Sequence, residues 1–130
     1  MRLIGACLSV IFVLPLFGAE IQLTTSNAVD ICPAWTPDGK IIYETNRNGD
    51  FDLWIMNPDG SGDRFLFTRQ GGDEDFPKVS PSGDRVVFSA TWSGNHDIWV
   101  ASIDGRMPVQ LTNSPADDIQ PVWSPDGSKI

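Results

Sequence analysis

Histidine occurs once in the 130 residues, at His96, and cysteine twice, at Cys7 and Cys32. Scarcity on that scale leaves no His/Cys cluster at metal-ligand spacing, so neither a metal nor another cofactor is expected. Basic residues are few as well, with 9 Lys and Arg against 17 Asp and Glu and a net charge of −8. So acidic a surface repels polyphosphate and anionic headgroups, which excludes nucleic acid as a partner. No uncharged run is a comfortable membrane span of about 20 residues. Helical periodicity is absent beyond the first 20 residues, and so are a Gly-x-Ser-x-Gly elbow and a glycine-rich phosphate loop. No catalytic residue, cofactor-binding residue or metal ligand can be named from the sequence.

The longest apolar run, Leu3 to Phe17, follows Arg2 and has the length of a secretory h-region. Residues 1–19 are therefore expected to be a signal peptide and residues 20–130 the mature part, with no membrane insertion apart from the leader. Ile4-Gly5-Ala6-Cys7 is not a lipidation box, because the apolar run follows Cys7 instead of preceding it. With the leader removed, Cys32 stands alone and no internal disulfide can form. Its expected role is that of a small half-buried side chain.

What the chain does contain is repetition. Pro33-Ala34-Trp35-Thr36-Pro37-Asp38-Gly39 returns as Pro77-Lys78-Val79-Ser80-Pro81-Ser82-Gly83 and as Pro121-Val122-Trp123-Ser124-Pro125-Asp126-Gly127, 44 residues apart each time. A hydroxyl residue, a proline and a glycine at the first, second and fourth positions make a type I turn that closes a hairpin. Repeats run over 21–64, 65–108 and 109–130, the last stopping halfway. Each full unit holds four strands, near 31–36, 41–46, 52–57 and 65–68 in the first. Hairpin punctuation such as Asn48-Gly49, Asp59-Gly60 and Asp104-Gly105 separates them. Ile41-Ile42-Tyr43 and Ile98-Trp99-Val100 are apolar on both faces, so each sheet must be covered on both sides.

Four-stranded antiparallel sheets repeated at this period and stacked face to face describe β-propeller blades, an all-β fold. The run Asp118 to Ile130, together with Asp52-Leu53-Trp54-Ile55-Met56-Asn57-Pro58-Asp59-Gly60 and Gln110-Leu111-Thr112, resembles the WD40-like or PD40 repeat of TolB-like propellers. The resemblance covers essentially everything after the leader. It departs from the pattern at Val79 and Ser82. It implies a propeller that is six-bladed when complete, of which about two and a half blades are present here as an N-terminal fragment. The proline-tryptophan strand would then be innermost, and Ile21-Gln22-Leu23-Thr24 an outer strand that completes the last blade. Ring closure needs further blades or other chains.

Several side chains invite a functional assignment. Asp30, Glu74 and Asp118 recur three residues ahead of each proline, joined by Asp75 and Asp117, and could form an acidic collar that attracts a cation or a basic segment. Recurrence in every unit favours a structural duty instead, with each accepting backbone N–H groups of its own inter-blade loop, and Asp52 and Asp97 share that expectation. Asn46 to Asp52 places oxygen atoms at alternate positions but lacks the glycine and bidentate glutamate of a calcium loop, which makes it a polar hairpin. His96 and Asp97 enter a strand and leave on opposite faces, so Asp97 cannot orient His96 as a triad requires.

The function expected from the resemblance is a non-enzymatic, exported scaffold for protein–protein interaction in the periplasm, with an envelope or periplasmic protein as partner, as in the Tol-Pal system. An alternative is the N-terminal propeller of a prolyl-oligopeptidase-like serine peptidase or other exported hydrolase whose catalytic domain lies beyond residue 130. A sugar-acid lyase on a related propeller would need histidines and metal ligands that this stretch lacks.

Overall fold

A computed structural model describes residues 12–13, 21–67 and 71–130. Apart from 12–13, the expected leader lies outside the described residues, as does Thr68. In chain order the strands are β1 (Phe12–Val13), β2 (Ile21–Gln22), β3 (Asp30–Trp35), β4 (Ile41–Thr45), β5 (Asp52–Met56), β6 (Arg64–Phe65), β7 (Glu74–Val79), β8 (Arg85–Ala90), β9 (Asp97–Ser102) and β10 (Val109–Gln110). They form two four-stranded antiparallel meanders, β3-β4-β5-β6 and β7-β8-β9-β10, while β1 pairs with β2. The sequence repeat and the sheet are out of phase. Each blade takes its outermost strand, β6 or β10, from the boundary with the following repeat.

The three proline motifs form one recurring turn. Gly39, Gly83 and Gly127 each donate a backbone N–H to the carbonyl of Thr36, Ser80 or Ser124, at 2.9, 2.9 and 2.8 Å. The chain reverses there with φ of +83°, +77° and +69°, a region glycine enters without steric cost. A second recurrence lies in the backbone ahead of each proline. Cys32, Phe76 and Gln120 have φ of +51°, +56° and +59°, and the ladder shifts register between Ile31 and Ala34 and again between Asp75 and Lys78. The first strand of each sheet, β3 and β7, is thus bulged at the same place, and at Phe76 the N–H is turned out to a side chain of the first sheet.

Side chains of β4 alternate between two interfaces, as the strand period of two requires. Ile42 joins Leu53, Ile55, Leu66 and Phe67 in a core shared with Val86, Phe88, Ala90, Trp99 and Ala101 of the next blade. Ile41 and Tyr43 point the other way and meet Leu23, Trp54 and Met56. All five residues of β4 are buried, so both faces of the sheet are covered. Leu23 packs against Tyr43 and Trp54 where Phe67 packs against the matching Phe88 and Trp99 of the second blade. The segment after β2 therefore lies on the first blade as the segment after β6 lies on the second.

In the third copy, no strand is formed between residues 111 and 130. The turn is nonetheless closed, with Ser124 N–H donating to Lys129 carbonyl at 2.9 Å. Trp123 reaches back to the second blade, its indole N–H donating to the Lys78 carbonyl at 3.0 Å and its ring 5.2 Å from the Arg85 guanidinium.

Candidate functional site

The side chains singled out in the sequence gather at the end of the sheets where β3 and β7 begin. The hairpins that join the second and third strands of each blade also turn there. The loops at this end are tied by a device that repeats. Phe51 N–H donates to the Asp73 carboxylate at 3.0 Å, and Glu74 N–H returns a bond to the Phe51 carbonyl at 2.7 Å. In the second blade His96 N–H donates to Asp117 at 3.1 Å, and Asp118 N–H bonds the His96 carbonyl at 2.8 Å. Asn95 adds bonds from its amide to the carbonyls of Ser114 and Ala116, at 3.1 and 2.8 Å.

The recurring acids are divided by their surroundings. Asp30 is buried, with the Ser26 hydroxyl donating to it at 3.4 Å and Arg47 at 3.7 Å. Glu74 is buried and accepts the N–H of Leu53 at 3.2 Å, reaching across to the preceding blade instead of serving its own loop. Asp118 is half-buried. Asp75 and Asp117 are brought together by His96, whose Nε2 lies 2.9 Å from Asp75 and whose Nδ1 lies 3.8 Å from Asp117. Burial pushes the Asp75 carboxyl up, partly offset by the hydrogen bond to His96.

Asp97 points away from His96, into the sheet, fully buried. It accepts bonds from the hydroxyls of Ser93 and Thr112, the Gln110 amide and the Ser114 N–H, and the Ser93 bond above all holds its carboxyl below the usual range. Asp52, with Asn48 as its main hydrogen-bonding partner, is instead pushed up by burial. The oxygen-rich hairpin from Asn46 to Asp52 does not converge. Asn46 accepts the Val29 N–H at 2.8 Å, and Arg47 turns away to Asp63 at 2.6 Å and to the face of Trp54 at 4.1 Å. Among the described residues no three His, Cys, Asp or Glu side chains converge as metal ligands.

One participant was missed in the sequence. Glu44 lies 1% exposed in β4, and its Oε1 accepts the N–H that the bulge at Phe76 turns out of β7. The available signal was an acid in an otherwise apolar strand, standing where the second copy has the small Ser89. The Cys32 thiol hydrogen-bonds to this carboxylate, and burial together with the Glu44 charge pushes the thiol up to about 12. Since the thiolate is the nucleophile, iodoacetamide at pH 7.5 is expected to leave Cys32 unmodified in the native chain and to label it within minutes in urea. Peptide mass mapping reads the outcome.

No family model matches the chain. It is 36% identical over 108 residues to the Tol-Pal system protein TolB of Anaeromyxobacter dehalogenans, covering 82% of this chain and 24% of that protein. It is 32% identical over 114 residues to the protein TolB homolog of Chlorobium luteolum, covering 87% and 26%. A TolB structure from Agrobacterium tumefaciens superposes with a TM-score of 0.78 at 29% identity, over 91% of this chain and 43% of that one. These are TolB-like propeller blades.

The chain spans about a quarter of the length of the TolB relatives it matches. TolB from Acinetobacter baumannii, with a TM-score of 0.73 at 24% identity over 84% and 27% of the two chains, shares the fold. So does the tricorn protease, with a TM-score of 0.58 at 16% identity over 76% and 9%. The bulged strands β3 and β7, which the resemblance led one to expect innermost, are edge strands of their sheets. The exposed hairpin tips Asn48–Asp50 and Ser93–Gly94 stand at the rim beside the His96, Asp75 and Asp117 group.

Proposed function

We propose that this chain belongs to an exported, non-enzymatic scaffold that works in the periplasm by binding envelope proteins. The observation that carries the proposal is the 36% identity to a Tol-Pal system protein across 108 residues. The geometry supports it, because Asp73, Asp75, Glu74, Asp97 and Asp117 are engaged in holding loops or His96, and the hairpin tips, tied to the sheets through Asn48 and Ser93, are exposed for contact at Gly49, Asp50 and Gly94. Binding residues concentrate on loops held by a rigid scaffold, and a propeller rim presents such loops side by side. Residues 1–19 would serve as the export signal.

Affinity capture from periplasmic extract, using the product of the whole gene, tests this. Recovery of Tol-Pal components, diminished when the exposed Asp50 is changed to lysine, is the expected result. Recovery of no envelope protein, or turnover of fluorogenic peptides by the same preparation, overturns it in favour of a peptidase propeller.

A further inference from the structure

We propose that the joint between the two blades is a proton-responsive latch, in which the carboxyls of Glu44 and Glu74 hold the blades most tightly when protonated and loosen them when ionised. The geometry is reciprocal. Glu44 belongs to the first blade and accepts the Phe76 N–H of the second, while Glu74 belongs to the second and accepts the Leu53 N–H of the first. Glu44 and Leu53 are also cross-strand partners on one rung of β4 and β5, so both bonds converge on a single point of the joint. Glu44 is 1% exposed and Glu74 2%.

What faces these carboxyls is mostly neutral or negative. Around Glu44 stand the Cys32 thiol of β3, and Asp75 and the cationic Lys78 of β7. Around Glu74 stand Asp52 of β5, Asp75 beside it and the Trp92 side chain, with no cation among them. Asp75 is itself engaged by His96 and feels Asp73. Each carboxyl accepts a second bond, Glu44 from the Cys32 thiol and Glu74 from the Trp92 side chain, and all these donors favour the ionised form. Burial without a close ion pair outweighs them, whereas the neutral acid keeps an oxygen to accept the N–H across the joint.

Burial accordingly raises both groups to about 7 from an ordinary 4.5. Between those values the folded chain binds protons that the unfolded chain has released. Stability from this source is complete below about pH 4.5 and is lost as pH rises through about 7. Asp52 and Asp75, also raised, act in the same direction. Asp97 and Asp126, held low, act at more acid pH, outside this window.

The test is NMR titration of the full chain from pH 4.5 to 8.5, following the side-chain carboxyl carbons of Glu44 and Glu74 and the amides of Phe76 and Leu53. Carboxyl midpoints near neutrality, shared by the two amides, are the expected result. Urea unfolding over the same range should show the unfolding constant rising at least tenfold from pH 5 to 8, with Glu44→Gln and Glu74→Gln each flattening that rise. Carboxyl midpoints in the ordinary range near 4.3, or amides that stay flat while the carboxyls titrate, would overturn the latch. The native titration decides even if either variant fails to fold.

Discussion

Gly105→Ala is expected to destabilise the chain by about 2–5 kcal/mol, one of the largest effects a single added methyl can have here. The loop between β9 and β10 passes so close to the end of the first blade that a Cβ on Gly105 would sit 1.8 Å from the Leu66 carbonyl oxygen. The obstacle is backbone, so no rotamer change relieves it, and either the loop or the segment after β6 must move. Overpacking of that kind costs about 1–3 kcal/mol, and the φ of +82° adds about 1–2 kcal/mol for any residue with a Cβ. Gly60 supplies the control. It has the same φ of +82°, and its nearest neighbour, the Leu23 carbonyl oxygen, would lie at 3.3 Å, a tight contact that a shift of a few tenths of an ångström relieves. Gly60→Ala should therefore cost only the backbone part, about 1–2 kcal/mol. Urea unfolding followed by tryptophan fluorescence measures both. Equal losses for the two variants would mean that the second blade is not seated on Leu66 as described.

That comparison shows what the sequence made legible. The period, the turn and the two-faced apolar strands were all local patterns, and they foretold two antiparallel sheets with strand bounds close to those found. The divergence of His96 from Asp97 followed from strand geometry alone. The bulges were not legible. Cys32, Phe76 and Gln120 could be aligned, but none is a residue that signals positive φ, and only the register of the neighbouring strand reveals it. Glu44 and Glu74 were hidden for another reason. Their partners lie 32 and 21 residues away on another blade, so no spacing within a repeat could point to them. Recurrence marked Glu74 as structural but located its partner in its own loop, whereas the bond runs to the preceding sheet.

The same dependence on neighbouring blades governs Phe67→Ala, which is expected to cost about 3–5 kcal/mol. Phe67 follows the outer strand of the first blade, yet its ring belongs to the second. It lies 4.7 Å from Phe88 and 5.7 Å from Trp92, edge-on to the latter, with 4% of its surface exposed. Truncation would open a cavity in the shared core and also remove two aromatic pairs, each worth about 0.5–1.5 kcal/mol. Phe65, two residues earlier, stacks on Trp54 at 4.4 Å but is 43% exposed and stays on its own sheet. Phe65→Ala should therefore cost only about 0.5–1.5 kcal/mol, the worth of that one pair. The contrast reports on the joint, because the second blade buries the Phe67 ring whereas the Phe65 ring is left half-exposed on its own sheet. A domain's net stability is about 5–15 kcal/mol, so the Phe67 loss alone would take a large share of it. If both substitutions cost the same, cohesion would reside within each sheet, and stacking between blades could not be what stabilises the array.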